Sequence, residues 1–437
     1  MSDSGGSRKL LWLLLSVLSG GSMAWYVTAI WSANQPAHFN DLYAPWWAAH
    51  EMLRHGRNPY SPEIAHEIQT VIYGAPAHPT SANDPASISG GFSYPPYAAF
   101  LLWPTVYLSF AGAQRVFLLV SLAAMLLSIV LWVRTLRLPL EPLGWLTLTW
   151  FAFGSFPALQ GLKLQNLSVI AAALLAITIY LLSSGHLALA GMFLAISTFK
   201  PQFTIALIPG LALWTFNDWG SRRRLALSFL FTMLVLVASS EWFVPGWIVR
   251  FLQVIRAYRH YTYGHSFLDV WFTPNWGMPL GLCVLALTLF FLWKMWLHDT
   301  HSTAFIRSMI LLLAVTLVII PSLAPHAQLL LLPGFLLFLD RGNPLSSRMA
   351  KLAQGASWTL LAWSWIAAWG LFVGALLFPV SRLLRYWGLP LYGSPLLPLA
   401  VSLALVFSLP SGHQVGIGGT LPEIQKPDLQ TGLAGQK

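Results

Sequence analysis

Long apolar runs, separated by short polar stretches, dominate the chain. One run covers residues 10–30, and twelve more follow a polar segment at 31–93. The later runs lie at 95–110, 112–133, 143–159, 165–183, 187–199, 201–216, 225–243, 276–297, 308–323, 327–339, 357–378 and 393–409. They are continuous rather than alternating, which is typical of membrane helices and not of barrel strands. The pattern predicts an all-α polytopic membrane protein.

Basic residues at the ends of the runs predict the orientation of the chain. Arg8 and Lys9 precede the first run, and three arginines stand at 222–224. Because cytoplasmic loops carry an excess of Lys and Arg, we expect a cytoplasmic N-terminus and an extracytoplasmic loop at 31–93. Arg341, Arg348 and Lys351 mark another cytoplasmic loop by the same rule. The predicted location is the plasma (inner) membrane.

The number of runs conflicts with this orientation. Six runs separate the outer loop at 31–93 from the inner arginines at 222–224, although an odd number of crossings is required. We expect that 143–159, which contains Gly154 and Pro157, is broken or re-entrant and crosses no bilayer. About twelve crossings then remain, in one transmembrane catalytic domain over 1–410. The Gly-, Pro- and Gln-rich segment 411–437 is predicted to be a disordered cytoplasmic tail.

The first outer loop has its own helical pattern. In 38–60, Leu42, Trp46, Ala49 and Leu53 fall on one helical face. Gly56 is placed to end that helix in a left-handed conformation. The flanking Trp and Tyr residues favour a bilayer interface, so we predict a helix that lies flat on the membrane.

Composition narrows the function. The chain has 437 residues, of which 56% are hydrophobic and 9% charged, and this excludes a soluble protein. The net charge of +10 is attributed to orientation and lipid headgroups, and no nucleic-acid partner is expected. Cys283 is the single cysteine, so an intrachain disulfide is excluded. The sequence contains no phosphate-binding loop or HExxH motif, and neither a metal nor a cofactor is predicted.

Polar residues beside the apolar runs are candidates for a site, because such groups are costly in a membrane. They are Asp41, the stretch Gln160, Lys163, Gln165 and Asn166, Lys200 beside Pro201, and His326 beside Pro325. The predicted topology places all of them at the outer face. Structural roles are equally open: a helix N-cap for Asp41, snorkelling for Lys200, a turn for His326, and helix–helix hydrogen bonds for the amides. Arg256 and Arg259 are either interfacial or attract a lipid headgroup.

Five segments in order resemble glycosyltransferase family 87. They are FNDLYAPWWAAHEMLRHGRNPY at 39–60, FSYPPYAAFLLWP at 92–104, KLQN at 163–166, LALAGMFLAISTFKPQF at 187–203 and SLAPHAQLLLLPG at 322–334. In KLQN the family's Gly-Gln-x-Asn pattern is altered, since its Gly is replaced and Gln is followed directly by Asn. The resemblance covers about 38–334.

This resemblance implies a type C glycosyltransferase fold and an inverting transfer. The donor is a polyprenyl-phosphate-linked sugar, and the acceptor is a hydroxyl of a lipid, glycan or protein on the outer face. Asp41 is then the general base, and Lys200, His326, Arg256 and Arg259 bind the donor phosphate. The implied substrate-binding residues are Tyr43, Trp46, Asn58, Tyr60, Tyr94, Gln165 and Asn166. The sugar itself, whether mannose, arabinofuranose or glucose, is left open.

Two other classes share some of these features. A transporter or flippase for lipid-linked sugars also carries polar groups in the membrane, but it predicts internal repeats, and the sequence shows none. A polysaccharide polymerase or ligase places a large outer loop late in the chain, and 244–274 has some of that character.

Overall fold

The structure is a computed structural model. It describes residues 40–74, 91–261, 266–272, 274–293, 302–320, 324–339, 347–386 and 388–409, together with positions 13, 17, 20, 21 and 300. The predicted first span at 10–30 and the predicted tail at 411–437 therefore lie largely or wholly outside the described residues. The described chain is helical and contains no strand, so the predicted all-α class is confirmed.

The helices follow one another with short connections. The first nine are α1 Tyr43–His55, α2 Pro62–Tyr73, α3 Ala98–Leu102, α4 Phe110–Thr135, α5 Pro142–Gly154, α6 Phe156–Lys163, α7 Ser168–Ser183, α8 Leu187–Ser197 and α9 Leu207–Asn217. The others are α10 Trp219–Phe243, α11 Trp247–Tyr261, α12 Phe267–Phe272, α13 Pro274–Trp293, α14 Thr303–Ile319, α15 Leu332–Phe338, α16 Arg348–Leu377, α17 Val380–Leu383 and α18 Leu396–Val406. Short 3-10 helices lie at Trp103–Thr105, Pro201–Phe203, Pro325–Leu331, Leu384–Tyr386 and Leu389–Leu391.

Within the described residues, five helical segments are long and apolar enough to cross a bilayer. They are Phe110–Thr135, Trp219–Phe243, Trp276–Trp293, Arg348–Leu377 and Leu389–Val406. Five shorter apolar helical segments accompany them: Ser168–Ser183, Leu187–Ser197, Leu207–Asn217, Thr303–Ile319 and Pro325–Phe338. This supports a membrane protein, and the predicted total of about twelve crossings stays a prediction.

Helix α1 forms where the outer loop was predicted to be helical. Its C-cap, Gly56, has a φ of 64°, which is the left-handed conformation expected there. The apolar face is buried against protein: Leu42, Ala49 and Met52 are almost fully covered, and α3 packs against this helix. That the helix also lies flat on a bilayer stays a prediction.

The expected span at 95–110 is wrong. Residues 98–105 form only α3 and one 3-10 turn, because Pro104 has no backbone donor with which to continue the helix. A new helix, α4, starts at Phe110, where Ser109 caps it by accepting a hydrogen bond from Gly112 N.

The break expected within 143–159 is confirmed, whereas the expectation that this segment crosses no bilayer stays a prediction. Ser155, with extended backbone, separates α5 from α6, and Pro157 lies in the first turn of α6. The Gly154 carbonyl at the break accepts a 2.7 Å hydrogen bond from Trp365 Nε1 of α16. We count α5 and α6 together as one passage through the membrane. Five passages then lie between Asp41 and the arginines at 222–224, namely α4, α5–α6, α7, α8 and α9. Five is odd, so the predicted orientation needs no re-entrant segment.

The bundle is tight around α8 and α14. Helix α8 packs against α7 and α10, and α14 is buried along nearly its whole length. At Gly191 of α8 the backbone of α10 comes so close that a Cβ atom would overlap the Leu225 carbonyl oxygen and lie 2.9 Å from Phe229 N. Only glycine fits this contact without moving a helix.

Replacing Gly191 by Ala tests this packing. Because backbone atoms cannot rotate away, α8 and α10 must separate, and we expect a loss of roughly 1–3 kcal/mol, as for other overpacked interiors. The measurement is the thermal unfolding midpoint of purified protein in detergent. Gly355→Ala in α16 is the matched control, since no atom lies within 4 Å of the added carbon. Equal midpoints for the two variants would contradict the packing argument.

Candidate active site

Asp41 lies immediately before α1, but it does not cap the helix. Leu42 is the N-cap residue, and no side chain caps α1, so the N-cap interpretation of Asp41 is wrong. Its backbone N instead donates a 2.7 Å hydrogen bond to the Leu164 carbonyl. The carboxylate is thereby fixed beside the turn that joins α6 to α7, more than 120 residues further along the chain.

That turn presents Asn166 to Asp41. Gln165 has a φ of 51°, an unusual conformation for a residue with a side chain. Asn166 Oδ1 accepts 2.8 Å and 2.6 Å hydrogen bonds from Ser168 N and Oγ, a local arrangement that Asn favours in turns. Asn166 Nδ2 donates a 2.7 Å hydrogen bond to Asp41 Oδ2.

Lys200 reaches the same turn from α8. The helix ends at Ser197 and a 3-10 turn starts at Pro201, which leaves Lys200 at the junction with its side chain only 4% exposed. Its Nζ donates a 2.7 Å hydrogen bond to Asn166 Oδ1 and another to Ser168 Oγ. A buried ammonium of this kind requires such partners.

One amide therefore links a carboxylate to an ammonium. Lysine can only donate, so the Asn166 atom that faces Lys200 must be the oxygen, and the amide nitrogen must then face Asp41. The described residues include no direct ion pair between Asp41 and Lys200. We refer to Asp41, Asn166, Ser168 and Lys200 as the polar chain.

Burial sets the electrostatics of the two charged ends. The Asp41 side chain is exposed to solvent, yet the surrounding protein raises its pKa by desolvation, against the opposing effects of the Asn166 hydrogen bond and the Lys200 charge. Burial likewise lowers the pKa of Lys200, while the negative charge of Asp41 opposes that change.

Gln165 is held in the turn by hydrogen bonds at both ends of its amide, and its predicted role in substrate binding stays a prediction. Its Oε1 accepts a hydrogen bond from Asn40 Nδ2, and its Nε2 donates a 2.8 Å bond to the Gln114 carbonyl of α4. Asn40 Oδ1 in turn accepts from Leu42 N at 2.7 Å. All these groups are buried or partly buried, so Gln165 positions the segment of the chain that carries Asp41.

Ser168 was not predicted. It is fully buried and contacts both Asn166 and Lys200. Nothing in its spacing distinguishes it from the many other serines of the apolar runs, so the sequence carries no signal for this role.

His326 lies close to the polar chain without joining it. It is half-buried on the 3-10 helix Pro325–Leu331, and its Nδ1 has no hydrogen-bond partner among the described residues. It is near enough to Lys200 to interact electrostatically. Gly161 of α6 lies beside it, because a Cβ there would be 3.7 Å from His326 Cβ.

The predicted aromatic residues mostly serve packing. Tyr43 and Trp46 are buried, and Trp46 Nε1 donates to the Thr105 carbonyl at 3.1 Å. Tyr60 donates through its hydroxyl to the Tyr94 carbonyl at 2.6 Å. These contacts leave little of any ring for a sugar, and their role in substrate binding stays a prediction.

The remaining predicted residues are not brought to the polar chain. Asn58 Oδ1 accepts a 3.1 Å hydrogen bond from Tyr60 N and so shapes the turn before α2. Arg256 is exposed on α11, and the side chain of Arg259 lies outside the described part of the structure.

An apolar cavity lies within the bundle, and two of its lining residues are neighbours of Gly161, which also lies beside His326. Val169 and Leu329 line it, and both lie close to Gly161, at 3.0 and 3.5 Å from the position of an added Cβ. Deeper lining residues come from α4, α5, α7, α15, α16 and α18, among them Met125, Phe151, Phe335, Leu361 and Leu397. Polar groups are few: Ser128, Ser155 and Gln328.

Comparisons with known proteins identify the family of the chain. No curated protein and no solved structure matches the chain. The family model described as "Glycosyltransferase family 87" matches residues 92–321, more than half of the 437 residues. The match includes Asn166, Ser168 and Lys200, whereas His326 lies five residues after its end and Asp41 lies 51 residues before its start. The predicted resemblance is confirmed, and the chain belongs to glycosyltransferase family 87.

Proposed function

We propose that this glycosyltransferase moves a sugar from a polyprenyl-phosphate donor to a hydroxyl of a lipid, glycan or protein acceptor, with inversion at the anomeric carbon. The observation that carries the proposal is the Asn166 amide, which places an accessible carboxylate beside a buried ammonium. A transfer of this kind needs both: a base for the incoming hydroxyl and a cation for the departing phosphate.

Asp41 has the geometry of a general base. Oδ2 is held by Asn166, and no described residue donates to Oδ1, which leaves that oxygen for a proton. As the acceptor oxygen attacks the anomeric carbon, its proton passes to Asp41, and the bond from that carbon to the phosphate oxygen breaks on the opposite face. Desolvation raises the pKa of Asp41, and a carboxylate with a raised pKa is a stronger base.

Lys200 and His326 are placed for the leaving phosphate. Lys200 uses two of its three donor hydrogens on Asn166 and Ser168, so one remains. The ring nitrogen Nδ1 of His326 has no partner among the described residues. Because Asn166 separates Lys200 from Asp41, no direct ion pair occupies the ammonium, which leaves it for the developing phosphate anion.

The apolar cavity supports a lipid-linked donor. Its lining is apolar apart from three polar groups, and a prenyl chain is wholly apolar. A phosphate at His326 and Lys200 would place the attached chain at Val169 and Leu329, which line the cavity. Burial of apolar chain stabilises binding by about 25 cal/mol per Å² of area.

Family membership favours a transferase over the other two classes. A flippase moves its lipid without breaking a bond and has no use for a base with a free oxygen. A polymerase or ligase would use a late outer loop such as 244–274. The polar chain is built from residues 41–200 and contains no residue of that segment.

The active site is proposed to face the extracytoplasmic side of the plasma membrane. Two arguments support this proposal. Five passages separate Asp41 from the arginines at 222–224 when α5–α6 is counted as one, and the positive-inside rule predicts that the arginines are cytoplasmic.

Replacing Asp41 by Asn tests the base. The substitution keeps the shape but removes proton acceptance, so we expect transfer to fall by about 10²–10⁴-fold, the usual contribution of such a group. Expression and donor binding should stay near the wild-type level. The measurement is transfer of radiolabelled sugar from a panel of polyprenyl-phosphate sugars in native membranes. Asp218→Asn at the start of α10 is the control, and normal turnover by Asp41→Asn would remove Asp41 from the mechanism.

The pH profile tests the link between Asn166 and Asp41. Transfer requires the ionised carboxylate, so the rate falls as the pH drops through the pKa of Asp41, which burial holds above 3.8. The Asn166 hydrogen bond favours the ionised form and lowers this pKa. Asn166→Ala should therefore raise the pKa further and move the acidic limb of kcat/KM to higher pH. An acidic limb that stays in place, with protein still folded, would contradict the link.

Single-cysteine labelling of intact cells tests the orientation. In a Cys283→Ser background, Glu63→Cys on α2 and Ser221→Cys on α10 each offer one exposed thiol. We expect a membrane-impermeant maleimide to label the first variant in intact cells and the second only after permeabilisation. The reverse pattern would place Asp41 in the cytosol and refute an outer-face reaction.

A further inference from the structure

A second cluster of potential ligands lies at the C-terminal end of α1. His50, Glu51 and His55 each offer one nitrogen or oxygen atom, and these three atoms lie within 4.8 Å of one another. Glu51 is eight residues, or roughly 12 Å of helix, from Tyr43 at the start of α1. The cluster is therefore separate from the polar chain and has no part in the proposed transfer.

Hydrogen bonding fixes where the proton of His50 lies. Arg54 Nη1 is 3.3 Å from His50 Nε2, and arginine can only donate, so Nε2 is the acceptor. The proton of the neutral ring must then be on Nδ1, which is 3.0 Å from Glu51 Oε1. A divalent metal placed between these two atoms would take the position of a proton.

The ligands are held before any metal arrives. Glu51 is only 5% exposed, and its other oxygen, Oε2, accepts a 2.8 Å hydrogen bond from Arg57. The His50 ring stacks on Trp47, with 5.2 Å between centroids and 9° between planes. Both side chains are thus fixed by groups that leave Nδ1 and Oε1 facing each other. His55 is exposed, and its ring lies 5.2 Å from that of His50.

We propose that His50, Glu51 and His55 form a site for a divalent transition metal of the zinc class. The ligands are His50 Nδ1, Glu51 Oε1 and one ring nitrogen of His55, with a water in the fourth position. Two imidazoles and one carboxylate are a set that Zn²⁺ binds, at about 2.0–2.2 Å per ligand. A tetrahedral ion holds its ligands roughly 3.4 Å apart at these bond lengths, so only His55 has to move inward.

Binding requires one proton to move and one contact to break. When the metal bonds to Nδ1, the proton of His50 transfers to Nε2, and the ring stays neutral. Nε2 then no longer accepts from Arg54, whose exposed side chain turns toward Tyr107, where its guanidinium already lies 5.6 Å from the ring centroid. Arg57 keeps its 2.7 Å bond to Glu67, so no buried charge loses its partner.

The metal would join the last two turns of α1. Gly56 reverses the chain directly after His55, so a metal bound there ties down the exit from the helix that follows Asp41. The expected consequence is a more stable outer loop, and sugar transfer does not require the ion.

Metal titration of the full-length protein tests the site. The protein is purified without a histidine tag, stripped with a chelator and titrated with Co²⁺ and with Zn²⁺. We expect one ion per chain, visible Co²⁺ absorption typical of tetrahedral coordination, and a higher thermal midpoint when Zn²⁺ is bound. His55→Ala and Glu51→Gln should each weaken binding by at least about tenfold, since even outer partners of a metal change its affinity that much.

Two controls separate a metal site from a network of ion pairs. Glu67→Gln weakens the Arg57 network but leaves all three ligands, so its Co²⁺ spectrum and affinity should match the wild type even if the apo protein is less stable. His186→Ala, which removes a histidine outside the cluster, should bind normally. The proposal is overturned if the wild type binds no stoichiometric ion, if His55→Ala binds as tightly as the wild type, or if Glu67→Gln loses binding as His55→Ala does.

Discussion

A single side-chain amide connects the two charges of this site. Asn166 donates to Asp41 through its nitrogen and accepts from Lys200 through its oxygen. Neither charge would be stable in this apolar chain without such partners, because an isolated ion in a low-dielectric interior is strongly disfavoured. A direct ion pair would satisfy both charges, but it would also lower the proton affinity of the carboxylate and occupy the ammonium. The intervening amide stabilises both and leaves each able to react.

The rest of the bundle places these three residues. They come from the start of α1, the turn between α6 and α7, and the end of α8, and each of these places is a helix terminus. In a membrane protein most side chains within helices face lipid or other helices, so polar groups with free hydrogen-bonding capacity collect where helices end. The unusual φ of Gln165 and the buried bonds of Asn40 and Gln165 belong to the same arrangement, since they hold the turn that carries Asn166.

Much of this could be read from the sequence. Continuous apolar runs predict helices, Gly56 predicts the end of α1, and the Gly154–Pro157 stretch predicts a broken helix. Asp41, Asn166 and Lys200 were all identified because charged and amide groups are rare in such a chain. Local sequence patterns are enough to identify the helices and these three residues. That the three residues contact one another is seen only in the structure.

What the sequence did not predict depends on contacts between distant segments. The run at 95–110 has the composition of a span, but Pro104 stops its helix and α3 packs on α1 instead. Trp46 and Tyr60 have the chemistry of sugar-binding residues, yet carbonyl groups 59 and 34 residues away occupy their polar atoms. The sequence around Ser168 does not distinguish it from other serines, and only the folded structure shows its contact with Lys200.

The break at Ser155 has a consequence for biosynthesis. The Gly154 carbonyl receives its hydrogen bond from Trp365, which is 211 residues later in the chain. An unsatisfied backbone group in the hydrocarbon region costs several kcal/mol, and at roughly 5–20 residues per second the ribosome needs on the order of 10–40 s to supply its partner. During that interval the half of the protein that contains the polar chain has been synthesised, but the hydrogen bond from Trp365 to the Gly154 carbonyl has not yet formed. Helix α16, which is synthesised late, therefore completes the bundle around a site whose own residues were synthesised first.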